Sequence, residues 1–384
     1  MEKSANTVRV EAGLLTTGQA LPFDLFDNHH RLLLKRGYTI QSQEQLDRLI
    51  ERGVFFEKEI IAKSQERNLV EWLSIYLRMG ELSYDFECLF DQTVPNYNEA
   101  LSIAERIRKL CELDTDAALG SIHHQKSKRY SLRHSFHTAV MTEILLKHLN
   151  LPEENRCNAV AGALTMNIAM LELQDILYSQ KMSLSLEQKR TLVSHPLEAI
   201  NVLRKHGIKH PVWIEVIEHH HEMIDGSGYP KRLQVSELSI ESQALSLADR
   251  YCAMISERGY RTGHLPDAAA KDLINSQTAT IAPSLKSAFL REVGIYPPGT
   301  VVSLSNGELA VAIRRLQNPK QPLVRSLLSP MGIRYPDPPK RLTSKPAYAI
   351  NEVLSADKVK EFDLTILWHP IQLDMINDED ANAG

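Results

Sequence analysis

Three consecutive histidines followed by a glycine-rich turn form the most informative string in this sequence. Residues 219–222 read HHHE, and residues 225–230 read DGSGYP. A helix that ends in histidines and passes into such a turn can present imidazole nitrogens at the mouth of a helical bundle, where a metal ion and its substrate have access. The alternative is a polar helix end before an ordinary tight turn, because glycine and proline punctuate any loop. The string by itself leaves both interpretations open.

The same string closely resembles a known family signature. HHEMIDGSGYP, residues 220–230, is similar to the motif that names the HD-GYP family, metal-dependent phosphodiesterases that hydrolyse cyclic di-GMP. Further segments resemble the family in the right order between about Tyr130 and Arg261: RYSLRHSFHTAV with His134-Ser135, a helix with His195-Pro196, and SLADRYCAMISERGYR with Asp249, Tyr260 and Arg261. The modules at both ends also look like those attached to family members. Several separate motifs in one order argue against chance similarity.

The sequence departs from the family at its HD motif. Where the family carries a His-Asp pair within HDIGK, residues 166–170 read MNIAM, in register with His195 without any gap. Met166 and Asn167 therefore stand in place of two metal ligands. Met170 stands in place of the lysine that helps to hold the substrate phosphate. The resemblance therefore leaves the catalytic residues unassigned.

The two replacements change what the motif can bind. In two-metal phosphodiester hydrolysis, a carboxylate and a shared water or hydroxide hold two cations about 3.5 to 4 Å apart. Asn167 is neutral and offers one acceptor oxygen, so it cannot replace an anionic bridge. Met166 offers a soft thioether, which suits copper(I) better than the ions expected near phosphate. We therefore expect Met166 to fill the helical core, as methionine commonly does.

A partial set of ligands survives in the positions that match the family. The resemblance assigns His195, His220, His221 and Asp249 to it, with His134 as a fifth candidate. Such a set could hold one divalent ion, iron, manganese or zinc, since two histidines and one carboxylate support mononuclear sites with open positions. The alternative is that the histidines are structural relics joined by hydrogen bonds and that the chain uses no metal.

The signature loop is complete. We expect Glu222, Asp225, Gly226 and Gly228 to shape it, because an aspartate before Gly-Ser-Gly commonly caps its own loop. The resemblance makes Tyr229, Pro230, Lys231 and Arg261 the candidate ligand contacts. Lys231 and Arg261 could contact phosphate or could equally be solvated surface charges. In the family this loop is associated with catalysis and with contacts to diguanylate cyclase domains.

The elements that must position these residues are mainly helical. From about residue 63 to 296, apolar residues recur at three- and four-residue spacing, which predicts an HD-type helical bundle. Residues 1–62 predict a small β-rich module with one helix, and residues 297–384 predict a small β module, with Asn306-Gly307 as its hairpin turn, followed by a disordered acidic tail. The predicted fold class is mainly α, with small β-containing modules at both ends.

Composition excludes several classes of function. Lys and Arg number 44 against 48 Asp and Glu, so a net charge of -4 gives no general attraction to nucleic acid. The four cysteines form no CxxC pair, which disfavours a zinc knuckle or a redox motif. No apolar run of membrane-spanning length and no signal peptide are recognisable, so we expect a cytoplasmic protein without a membrane span.

Three functions remain open. The first is a signalling protein, a degenerate HD-GYP module that binds cyclic di-GMP, a related dinucleotide or a partner protein with little or no hydrolysis. The second is a metal-dependent cyclic di-GMP phosphodiesterase that uses the residual ligands. The third is a structural scaffold without a nucleotide. Loss of two ligands and the lysine from one motif favours the first.

Overall fold

The computed structural model separates the chain into two compact units. The structure describes residues 7–9, 21, 24–27, 31–35, 38–52, 55–57, 74–124, 129–256, 263–275 and 281–368. The first unit contains the described residues up to Ser74, and the second spans Ile75–Trp368. The tail predicted to be disordered lies outside the described residues.

The first unit combines a small sheet with one helix. Its strands are β1 (Thr7–Arg9), β2 (Leu25–Phe26), β3 (Leu32–Leu34) and β4 (Phe55–Glu57), and they lie antiparallel in the order β1-β4-β2-β3. Helix α1 (Gln43–Arg52) begins where Ser42 Oγ accepts a hydrogen bond from the Gln45 backbone N–H at 3.2 Å. Such a cap satisfies one of the free N–H groups of a helix start.

Helices dominate the second unit. They are α2 (Ile75–Phe90), α3 (Glu99–Leu113), α4 (Thr115–His124), α5 (Tyr130–His148), α6 (Glu153–Thr165), α7 (Leu171–Ser179), α8 (Leu186–Lys205), α9 (Pro211–His219), α10 (Ile240–Ile255), α11 (Pro266–Asn275) and α12 (Pro283–Glu292). The prediction of a mainly α fold with small β-containing modules at both ends is confirmed.

Helix α5 is the central helix of this bundle. Its buried positions run almost without interruption from Tyr130 to Leu146, and it packs against α6 and α10. A helix buried on all sides is expected at the centre of a bundle. Polar residues of α5 such as His134 and His137 are therefore buried as well, which places them where a site can be shielded from water.

A second sheet completes this unit. Strands β5 (Val301–Leu304), β6 (Leu309–Arg314), β7 (Leu323–Leu328), β8 (Lys340–Leu342) and β9 (Ile350–Leu354) are antiparallel in the order β8-β7-β6-β5-β9. Gly307, at φ +88°, forms the predicted turn between β5 and β6. Val301 and Val311 belong to the same hydrophobic core as the helices. The three-domain division at residues 62 and 296 stays a prediction.

No membrane-spanning candidate is present in the described part of the chain. None of its helices combines the length and the apolar character that crossing a bilayer requires.

Candidate functional site

Three histidines from two helices meet in one cluster, which we call the histidine cluster. His195 lies in α8, while His220 and His221 directly follow the end of α9. One ligand atom of each lies within 4.8 Å of the corresponding atoms of the other two. The imidazole centroids of His220 and His221 are 4.0 Å apart, and those of His195 and His221 are 5.1 Å apart. The structure thus brings together three of the predicted ligands.

The proline after His195 fixes the orientation of the imidazole. Pro196 lies inside α8 and has no N–H, so the Leu192 carbonyl lacks its helical donor four residues on. His195 Nδ1 lies 2.7 Å from that carbonyl oxygen and donates to it. The proton of neutral His195 is therefore on Nδ1, and the lone pair of Nε2 points into the histidine cluster.

His220 is oriented in the same way by the end of α9. Its Nδ1 donates to the Ile217 carbonyl at 2.7 Å, in the last helical turn, where carbonyls lack helical partners. His195 Nε2 and His220 Nε2 lie 3.2 Å apart. Because both protons are on Nδ1, two lone pairs face each other at this distance. A cation beside them would relieve that repulsion.

Burial keeps the histidine cluster neutral. It lowers the pKa of His195 to about 3, with a further contribution from His220. Burial also lowers the pKa of His220, and it lowers that of His221 well below its ordinary value. Neutral imidazole is the form that binds metal ions. The site is therefore in its ligating state at neutral pH.

Asp249 and His134 form a pair beside the histidine cluster. His134 Nε2, on α5, lies 2.8 Å from Asp249 Oδ1, on α10. Burial alone would raise the pKa of Asp249, but the hydrogen bond and charge of His134, together with His221 and His220, hold it below its ordinary value. Asp249 is therefore an anion. Its oxygens lie outside the group of ligand atoms that are within 4.8 Å of one another, but its charge acts on both His220 and His221.

The segment that replaces the HD motif is buried. Met166 has an exposed fraction of 0% and belongs to the hydrophobic core, which confirms the prediction that it fills the core. Asn167 is 2% exposed, and its Oδ1 atom has no hydrogen-bond partner among the described residues. Met170 is half-buried and precedes α7. The segment offers one neutral acceptor oxygen and no anion.

Glu222 organises the signature loop. Its side chain is 2% exposed and accepts hydrogen bonds from three successive backbone N–H groups, at 2.6 Å from Lys231, 3.0 Å from Arg232 and 3.1 Å from Leu233. A buried carboxylate that accepts several N–H groups fixes the backbone around it. Glu222 therefore acts on the shape of the loop.

Glycine is required at the tightest point of this loop. A Cβ atom on Gly228 would lie 2.4 Å from the Met223 nitrogen, and Gly226 has a φ of +75°. Asp225 Oδ1 accepts from the Ser227 backbone N–H at 3.0 Å. The loop-shaping roles expected of these residues stay a prediction.

The candidate ligand contacts differ in their surroundings. Tyr229 stacks on His221 with ring centroids 4.6 Å apart, and burial together with the charge of Asp249 raises its pKa. Pro230 follows Tyr229 through a cis peptide bond. Lys231 Nζ forms an ion pair with Glu218 at 2.8 Å. Arg261 lies outside the described residues. Of the candidate contacts that the structure describes, Tyr229 lies directly against the histidine cluster.

Sequence reasoning missed two supporting residues. The sequence places Pro196 next to His195, but it does not indicate that the proline frees the Leu192 carbonyl to accept a hydrogen bond from His195 Nδ1. Tyr130 stacks on His134, four residues later, with centroids 5.7 Å apart. The i, i+4 spacing of an aromatic residue and a candidate ligand was the signal that could have indicated this contact.

The donor set fits a single divalent cation. Two imidazoles present Nε2 lone pairs, each with its Nδ1 proton on a backbone carbonyl, which is the support that metal-binding histidines commonly have. His221 and the anion Asp249 lie next to them. Among the described residues, His195, His220 and His221 are the group whose ligand atoms lie close enough together to hold one ion. Asn167 is neutral and adds no anion that could bridge two cations.

Comparisons with known proteins identify a domain family in this part of the chain. Residues 119–285 match the family model described as HD domain. The chain is 27% identical over 215 residues to cyclic di-GMP phosphodiesterase PA4108 of Pseudomonas aeruginosa, covering 56% of this chain and 50% of that protein. It is 25% identical over 180 residues to 3'3'-cGAMP-specific phosphodiesterase 3 of Vibrio cholerae, covering 47% of this chain and 39% of that protein. The chain thus spans half or less of the length of these curated relatives.

A solved structure also shows some similarity. Bd1817, a HDG"Y"P protein from Bdellovibrio bacteriovorus, aligns with a TM-score of 0.47 at 18% identity, over 73% of this chain and 97% of that one. The matched HD domain model and the similarity to cyclic di-GMP phosphodiesterases carry the comparison, and the signature loop of this chain folds against the histidines. The chain therefore contains an HD domain at residues 119–285 and is similar to cyclic di-GMP phosphodiesterases.

Proposed function

We propose that this chain is a degenerate HD-GYP signalling protein, which binds cyclic di-GMP or a related cyclic dinucleotide with little or no hydrolysis. One observation carries the proposal: the histidine cluster and the signature loop are assembled, whereas the segment in the HD position is a buried Met166 and a neutral Asn167. Binding groups are retained, and the anion that would hold a second cation is replaced.

Electrostatics supports the loss of two-metal chemistry. Two divalent ions at about 4 Å repel each other strongly unless an anion lies between them. Asp249 is the one carboxylate that the resemblance assigns to the metal set, and its Oδ1 already accepts from His134. Asn167 contributes no charge. At most one cation is therefore expected at this site, and the stabilisation of both attacking and leaving oxygens is lost.

The loop supports a binding role. Tyr229 stacks on His221, and its raised pKa keeps the hydroxyl protonated, so that it can donate to a phosphate oxygen. The backbone of the loop is held by Glu222. A rigid donor next to the histidines is preorganised for an anionic ligand, which reduces the entropy lost on binding.

Calorimetry combined with a hydrolysis assay tests the proposal. The wild type is titrated with cyclic di-GMP and separately incubated with it in the presence of Mn²⁺. His220→Ala and Tyr229→Ala should weaken binding about 10-fold or more, whereas His206→Ala, a change at an exposed histidine of the same domain, should not. We expect saturable binding without turnover. Absence of binding, or turnover that His220→Ala abolishes, would overturn the proposal.

A second candidate is a single-metal phosphodiesterase. The observation that favours it is the 3.2 Å approach of the His195 and His220 Nε2 atoms, with His221 alongside. His195, His220, His221 and Asp249 would hold the ion, which could be iron, manganese or zinc. A bound divalent ion would supply Lewis-acid polarisation and a more acidic water. Metal-dependent turnover by the wild type, lost in His220→Ala, identifies this candidate.

The loop also provides a surface for a protein partner. Its exposed side chains include Asp225, Ser227, Lys231 and Arg232. We include diguanylate cyclase domains among the proposed partners on the basis of the family resemblance. A pull-down with a purified diguanylate cyclase domain, compared with the Asp225→Lys variant, tests this part of the proposal.

A further inference from the structure

A half-buried arginine with no anionic partner lies next to His134. Arg133 precedes His134 on α5, and the structure gives it neither an ion pair nor a hydrogen bond within the described ranges. Its guanidinium carbon lies 5.7 Å from the ring centroid of Tyr130 and 5.8 Å from that of Tyr178. The charge is therefore positioned by two aromatic rings and remains available for an anion.

The two tyrosines form a rigid support, which we call the tyrosine shelf. The rings of Tyr130 and Tyr178 stack with centroids 4.6 Å apart and an interplanar angle of 20°. Tyr130 also stacks on His134 at 5.7 Å. The Tyr130 ring thus neighbours both the guanidinium of Arg133 and the imidazole that is paired with Asp249. An anion bound near that pair is within the range of the Arg133 charge.

Helix α7 is fixed to the start of α5 by a different charge pair. Asp175 accepts from Arg129 Nε at 3.0 Å and from the Ser131 backbone N–H at 2.8 Å. This pair neutralises Arg129 and holds Tyr178 in place on the same helix. Arg129 therefore has a structural role, whereas the guanidinium of Arg133 does not take part in fixing the helices by ion pairing.

The same helix begins at the position where the family's phosphate-binding lysine is missing. Met170 directly precedes α7, so the loss of the lysine removes a cation from the start of the helix whose tyrosine supports Arg133. A guanidinium presents several donors in one plane and can bind two phosphate oxygens at once. The guanidinium carbon of Arg133 is nearly equidistant from the two ring centroids, and its N–H groups have no hydrogen-bond partner among the described residues, so they are free for such a contact.

We propose that Arg133, held on the tyrosine shelf, binds a phosphate group of the cyclic dinucleotide and supplies the cation that Met170 no longer provides. This inference rests on the proposed function, since it concerns the same site. Arg133 is a binding residue in this account, and Tyr130 and Tyr178 position it. The shared chemistry is that of a phosphate anion, as a diester or as free phosphate.

Titration of charge variants tests the inference. Arg133→Gln removes the charge, Arg133→Lys keeps it with poorer bidentate geometry, and Arg190→Gln is a matched control at an exposed arginine of α8. We expect cyclic di-GMP affinity to fall about 10- to 100-fold in Arg133→Gln and less in Arg133→Lys. Affinity should be unchanged in Arg190→Gln. The dependence of affinity on salt should weaken in Arg133→Gln only, with unfolding midpoints measured for every variant.

The outcomes separate this inference from the proposed function. If the wild type binds cyclic di-GMP and Arg133→Gln binds within about twofold of it, the role of Arg133 is refuted while the proposed function stands. If the wild type binds no dinucleotide, the proposed function fails, and titration with inorganic phosphate decides about Arg133. Phosphate binding that Arg133→Gln abolishes supports an anion site, and no phosphate binding by the wild type overturns it.

Discussion

Replacing Asn167 by aspartate tests the electrostatics of the HD position with a single isosteric change. Asn167 is 2% exposed, and its Oδ1 has no hydrogen-bond partner in the described part of the chain. A buried charge without its partner costs about 3 to 5 kcal/mol. A penalty of about 3 kcal/mol corresponds to a rise of about two units in the pKa of the new carboxyl group.

The sign of the pH dependence follows from that rise. Because the pKa of the Asn167→Asp carboxyl would be higher in the folded than in the unfolded state, the penalty is fully present above the folded pKa. It disappears as the pH falls below the ordinary value of about 3.9. A divalent cation that binds the folded variant at 100 times its Kd would restore about 2.7 kcal/mol.

Urea unfolding at several pH values measures the effect. The free energy of unfolding of Asn167→Asp is compared with the wild type at each pH, with and without Mn²⁺. The control is Asn201→Asp, an exposed position on α8, where a change within about 0.5 kcal/mol is expected. A metal-free variant as stable as the wild type at pH 7.5 would show that the HD position is accessible to water and that the charge there carries no penalty.

Three further predictions concern the same site. The double variant Met166→His with Asn167→Asp restores the HD pair and should gain metal-dependent hydrolysis of cyclic di-GMP. A metal-loaded double variant without turnover would contradict this interpretation of the HD position. Pro196→Ala returns a backbone N–H to the Leu192 carbonyl, and this N–H competes with His195 Nδ1 for the carbonyl oxygen. Metal affinity should therefore fall about 10- to 100-fold. Unchanged affinity in a metal titration would show that the proline does not orient the ligand. The pKa of folded His195 is about 3 against an ordinary 6.5, so the unfolded state takes up a proton first as the pH falls. The free energy of unfolding should therefore fall from about pH 6.5 towards pH 3, by up to about 1.4 kcal/mol per pH unit for this histidine. A flat profile in urea unfolding would contradict its burial as a neutral group.

The fold and the histidines could be predicted because their signals are local. Helical periodicity indicated the bundle, and Asn306-Gly307 indicated the hairpin of β5 and β6. The string made the consecutive His220 and His221 candidates, the family resemblance made them predicted ligands, and Met166 could be assigned to the core by its side-chain chemistry. Each of these signals lies within a few neighbouring residues.

The remaining features depend on contacts between distant segments. The stacking of Tyr130 on Tyr178 and the ion pair of Arg129 with Asp175 join α5 to α7, and neither has a local signature. The attachment of the second sheet to the helices is similar, since Arg314 donates to Asp114 at 2.6 Å across 200 residues of sequence. Such pairs are determined by packing, which periodicity does not encode.

The number of metal ions that each chain binds distinguishes a one-metal site from a two-metal site. The wild type is loaded with an excess of Mn²⁺ or Fe²⁺, freed of unbound metal by gel filtration, and subjected to elemental analysis. Since the described site holds three histidines and Asp249 but no bridging carboxylate from Asn167, the account predicts at most one equivalent. Two equivalents per chain, both lost in His220→Ala, would contradict it.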